Sequence, residues 1–125
     1  MKKIISTETA PAAIGPYSQA TEHNGVIYCS GQIPLHPEKM VIIGSNAEEQ
    51  AEQVMKNLSA VLEAAGSDFS KVLKCSIFLA DMGDFATVNE VYGSRFKNNP
   101  PARETVAVKT LPKNVLVEIS CIAYK

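Results

Sequence analysis

Two apolar runs in this sequence carry an ionisable residue where alternation calls for a buried side chain. In "NNPPARETVAV", residues 98–108, Arg103 follows two prolines and enters an apolar strand; in "VLVEISCIAY", residues 115–124, Glu118 sits mid-run. Arg103 shares a strand face with Thr105 and Ala107, and Glu118 shares one with Leu116, Ser120, Ile122 and Tyr124. A charge taken out of water needs a partner. One reading is a salt bridge between neighbouring strands. The other is that Arg103 grips a ligand carboxylate through two parallel hydrogen bonds, while Glu118 holds or activates a water. Periodicity leaves both open.

Three further places attract attention. Tyr17 follows a Gly15-Pro16 turn; its ring either packs at a strand start or aims its hydroxyl into a cleft. Ser30 and Gly31 interrupt "VIYCSGQI", and Asn89 stands four residues after Phe85 and three before Tyr92, bordering an apolar helix stripe. No Ser-His-Asp set, phosphate-cradling glycine loop or metal cluster competes for the chemistry. Cys29, Cys75 and Cys121 form no C-x-x-C, which argues against a zinc site or a disulfide framework. Cys29 and Cys121 read as small core residues, and His23 and His36 as surface residues near turns.

These residues need a frame. The chain has 125 residues, 46% hydrophobic and 20% charged, with a net charge of −1, which suits one compact domain over residues 1–125. No apolar run approaches the roughly 18 residues of a membrane span, and the start lacks a signal-peptide core. The expectation is a cytoplasmic protein with no membrane partner. A pI near 6.1 without a basic stripe argues against nucleic acid.

"KKIIS" reads as a short strand, and "YSQATE" and "VIYCSG" as hairpin arms around the Asn-Gly signal in "HNG". "MVII" is a further candidate strand. Residues 46–65 form the clearest helix, with Asn46 and Glu49 as a capping box and Gly66 just past the end. "KVLKCSIFLA" is apolar on both parities, as in a strand covered on both faces. A second helix, capped by Asp81 or Asp84, carries Phe85, Val88, Tyr92 and Phe96 up to "NNPP"; Gly93 within it hints at a close contact. "ETVAV" and "VLVEISCIAY" close the chain. The resulting ββ(β)αβαββ order is a two-layer α/β (α+β) sandwich, a mixed sheet with both helices on one face. The other face then needs a cover, which predicts an oligomer.

"APAAIGPYSQA", "YCSGQIPL", "ADMGDFATVNEVYG", "PPARETVAV" and "LPKNVLVEISCIA" together resemble the RidA (YjgF) family of enamine/imine deaminases, from Ser6 to Ala123. The resemblance implies a chorismate-mutase-like fold, a homotrimer with active sites between subunits, and no cofactor or metal. It implies hydrolysis of small 2-imino acids such as 2-iminobutanoate and 2-iminopropanoate to 2-oxo acids and ammonia. Arg103 falls on the family's carboxylate-binding arginine and Glu118 on the carboxylate associated with the water. Tyr17, Ser30, Gly31 and Asn89 fall on cleft-lining positions, and Thr105 on one that offers backbone groups to the ligand. Two departures stand out. "RETV" replaces the frequent Arg-Ser-Cys-Val, and "EIS" replaces Glu-Ile-Glu, so Ser120 stands for the second carboxylate. A non-catalytic 2-oxo acid-binding regulator is the rival function; an endoribonuclease or translation inhibitor is a more distant one.

Overall fold

The computed structural model describes residues 1–125. Its elements are β1 (Lys3–Ile5), β2 (Ala20–His23), β3 (Val26–Gln32), α1 (Ala47–Ala64), β4 (Val72–Leu79), α2 (Phe85–Gly93), β5 (Ala102–Ala107) and β6 (Val117–Tyr124). One six-stranded sheet runs in the order β1-β2-β3-β6-β4-β5. Only β4 and β5 are parallel; the other pairs are antiparallel. The α/β expectation, a mixed sheet with two helices, holds.

Local chemistry accounts for the boundaries. Asn24 and Gly25 turn the β2–β3 hairpin with φ of 51° and 79°, the two positive values that a two-residue hairpin turn demands. Asn46 accepts the Glu49 N–H at 2.9 Å, capping α1, while the Glu49 carboxylate reaches back to the Ser45 N–H, also at 2.9 Å. The expected box is therefore displaced by one residue at its return bond. At the far end, Gly66 N–H bonds Glu63 C=O and Ser67 N–H bonds Leu62 C=O, closing the helix by the paired bonds of a Schellman turn.

The core lies between the helices and one face of the sheet. In β6, Val117, Ile119, Cys121 and Ala123 are buried, while Glu118, Ser120 and Ile122 on the other face are only half-buried. Val54, Leu58, Val61 and Leu62 of α1 and Val88 of α2 fill the space above them.

Several expectations need correction. "MVII" forms no strand, only an isolated bridge between Leu35 and Ile42. β2 starts at Ala20, because Ser18 and Gln19 are irregular and follow a turn in which Tyr17 N–H bonds Gly15 C=O at 2.9 Å. In β4, Val72, Cys75, Ile77 and Leu79 are buried, but the opposite face has no cover within the chain. α2 ends at Gly93, so Phe96 packs from the following turn, and a Cβ on Gly93 would meet nothing within 4 Å. β5 is an edge strand, mostly exposed; Arg103 does not enter a buried strand.

Candidate functional site

Arg103 stands at the fifth position of a lateral row. Ala20, Cys29, Cys121, Cys75 and Arg103 are in register across β2, β3, β6, β4 and β5. All three thiols are buried and free, as core residues should be. Burial pushes the Cys75 thiol up to about 11, away from nucleophilic use at neutral pH. Arg103 caps the row beneath α2. Its guanidinium carbon lies 5.7 Å from the Phe85 ring centre and 5.2 Å from that of Tyr92, and its Nη1 donates to Asn89 Oδ1. Arg103 lines an open pocket with Asn89, Tyr92, Phe96, Pro100 and Pro101.

Glu118 lies elsewhere. Arg103 pairs with Cys75 and Glu118 with Phe78, on either side of β4. Positions 75 and 78 are three apart on one strand, so the two side chains project from opposite faces of the sheet. The structural salt bridge is thereby ruled out. Neither Arg103 nor Glu118 forms an ion pair within the chain; Lys74–Glu104, Arg95–Glu52 and Lys125–Glu22 are the pairs it makes.

Glu118 opens into a cleft of about 590 Å³ that it shares with Tyr17, Ser30, Gly31, Ile33, Leu35 and Lys113, among others. Burial raises its carboxyl above the ordinary range. A Cβ at Gly31 would overlap the Glu118 carboxylate, reaching 2.9 Å from Cδ. Glycine is there to admit the acid. Ser30 spends its hydroxyl proton on the Ser18 carbonyl at 2.6 Å, and its N–H on Gln19 C=O at 3.0 Å. It fixes the loop bearing Tyr17, a residue 54% exposed that lines the cleft.

The candidates thus fall into two groups: Arg103 and Asn89 on the helix side, and Glu118, Tyr17, Ser30 and Gly31 on the other. Thr105 pairs with Ile77 on the Arg103 side, and its buried hydroxyl has no hydrogen-bond partner. Glu104 points away from Arg103, as alternation requires. It accepts from the Ser76 hydroxyl and lies 3.2 Å from Lys74 Nζ. The Ser76 bond, then that of Lys74, holds its carboxyl low.

Buried side-chain amides also shape the site. Gln19 Nε2 donates to the carbonyls of Thr7, Ala10 and Pro11, and its Oε1 accepts Thr7 N–H, tying down the N-terminal loop. Asn57 Nδ2 donates to Ile33 and Leu35 C=O at 3.1 and 3.0 Å, holding a wall of the Glu118 cleft. Gln50 accepts Leu116 N–H at 2.8 Å, just ahead of β6. A signal existed: Gln50, Val54, Asn57 and Val61 recur at four- and three-residue spacing, which puts two amides on an apolar stripe.

The sequence profile of the family described as endoribonuclease L-PSP matches residues 7–125. A mouse protein named 2-iminobutanoate/2-iminopropanoate deaminase is 48% identical over 123 residues, covering 98% of this chain and 91% of its own. This chain belongs to the RidA family. An Arabidopsis thaliana relative, Reactive Intermediate Deaminase A, chloroplastic, is 48% identical over 98% of this chain and 65% of its own length. The crystal structure of Escherichia coli TdcF with bound serine superposes with a TM-score of 0.93 at 40% identity, covering 98% of this chain and 99% of that one. No helix of this RidA-family chain is long and apolar enough to cross a membrane.

Proposed function

We propose that this protein hydrolyses small 2-imino acids and their enamine tautomers, 2-iminobutanoate and 2-iminopropanoate among them, to 2-oxo acids and ammonia. The observation that carries this reading is Arg103: a cation held against two rings of α2 on an exposed edge, with no carboxylate partner in its own chain. That is the arrangement of an anion anchor awaiting its anion. A relative named 2-iminobutanoate/2-iminopropanoate deaminase, another named Reactive Intermediate Deaminase A and a structural neighbour with bound serine support a small amino-acid-like ligand.

Arg103 binds the substrate carboxylate and orients C2. A water beside Glu118 attacks C2, its oxygen bonding as the C=N double bond becomes single. Proton transfer through Glu118 to the nitrogen lets the carbinolamine collapse, and ammonia leaves. Burial raises the Glu118 carboxyl above the ordinary glutamate range, which favours a group that takes a proton and returns it. Such transfer typically contributes about 10²–10⁴-fold. Tyr17, Ser30, Gly31 and the Thr105 backbone line the substrate. Because Arg103 and Glu118 leave the sheet on opposite faces, one chain does not complete the site. A homotrimer does, with Arg103 of one copy facing the Glu118 cleft of the next.

The test couples a serine or threonine dehydratase to the protein and follows imine decay by semicarbazide trapping. Wild type accelerates decay. Arg103→Ala loses about 2–5 kcal/mol of transition-state stabilisation, the usual cost of truncating one member of a desolvated charge pair. Binding of 2-oxobutanoate without any acceleration would instead identify a regulatory 2-oxo acid receptor.

A further inference from the structure

Phe85, Asn89 and Tyr92 follow one another at four and three residues along α2, so they share one helix face, and that face meets Arg103. The two rings attract the cation, as aromatic faces do within about 6 Å. Ring contacts hold a guanidinium in place but do not choose which of its N–H edges faces outward. Asn89 does choose. Its Oδ1 takes Nη1 in the single hydrogen bond that the Arg103 side chain makes. The Nε–H and one Nη2–H remain, parallel and spaced to match the two oxygens of a carboxylate.

We propose that Asn89 is a positioning residue that acts through Arg103, holding the Nη1 side of the guanidinium so that its Nε/Nη2 edge is presented to the substrate carboxylate. The inference rests on the reading of Arg103 as carboxylate anchor. It also explains why an amide occupies this position. An aspartate would hold Nη1 equally well but would neutralise the cation and compete with the incoming anion. An alanine would leave the charge intact and its orientation free. The residue must accept a hydrogen bond and carry no charge. Asn89 is exposed on α2, so its replacement leaves the core intact.

The chain has two arginines, Arg95 and Arg103, so guanidinium ¹⁵N resonances of the full protein are assigned with the single variant Arg103→Lys. Without ligand, wild type should show resolved, slowly exchanging Nη signals for Arg103. Asn89→Ala should lose them and Asn89→Asp should keep them. Calorimetric titration with 2-oxobutanoate should then separate the variants the other way. The dissociation constant rises about tenfold in Asn89→Ala, where the guanidinium loses its orientation, and about 100-fold in Asn89→Asp, where a negative charge competes with the incoming anion. A purely structural role would move both readouts together. The proposal is overturned if Asn89→Ala retains the resolved signals, or if Asn89→Asp binds the 2-oxo acid as tightly as wild type. Should the spectra behave as stated while wild type binds no 2-oxobutanoate, the positioning stands and the substrate reading falls.

Discussion

Burial sets the behaviour of Glu118: it raises the carboxyl above the ordinary glutamate range because the charged form loses solvation. In the unfolded chain the group titrates normally. The fold therefore favours the neutral acid, and the stability this contributes is present below the unfolded value and lost as pH rises through the folded one. Glu118→Gln removes the ionisation while keeping the shape. The variant should melt higher than wild type near about pH 8, with the advantage fading below about pH 4, where both carry a neutral group. Thermal unfolding at the two pH values checks it; an equal gain at both would assign the effect to packing. The same variant should lose deaminase turnover, a stabilised protein with a disabled site. That Arg103 and Glu118 are the residues to weigh was legible from charge in apolar strands. Their relative placement was not, because alternation gives each strand's parity but not which strand lies between two others.

At the scale of elements, α1 and α2 do different work for the two halves of the site. α2 presents Phe85, Asn89 and Tyr92 to Arg103. α1 supports the Glu118 cleft through a buried amide. Asn57 is 1% exposed and holds the carbonyls of Ile33 and Leu35, both cleft-lining residues. Asn57→Ala should cost about 2 kcal/mol, since carbonyls left buried without a donor lose hydration with no return. Denaturant unfolding measures this, and an unchanged midpoint would mean that water replaces the amide. Both helices and all six strands were recognisable from periodicity and turn chemistry. The "MVII" segment was misread because a short apolar run does not reveal whether a partner strand is available. β4 looked covered on both faces for a related reason: Leu73 and Phe78 are apolar on a face that nothing in this chain covers.

The whole molecule leaves that face open. Tyr28 and Tyr124 are 50% and 44% exposed on it, and Val106 and Ile122 lie on the same side, beside Phe78 and Tyr28. An apolar sheet face of this kind calls for another protein surface, and copies of the same chain in a closed ring supply it most simply. The opposite-face placement of Arg103 and Glu118 turns this into an experiment on function. Arg103→Ala and Glu118→Gln should each lose most of the activity alone. If each site takes Arg103 from one copy and Glu118 from the next, co-refolding the two variants regenerates sites in which both residues are native. In randomly mixed symmetric trimers about a quarter of sites receive both, so about a quarter of wild-type activity should return, with light scattering reporting the trimer mass. Simple mixing without subunit exchange should restore nothing. If co-refolded trimers also stay inactive while each variant folds and assembles, Arg103 and Glu118 serve the same chain's site or separate ones, and the shared cleft is wrong.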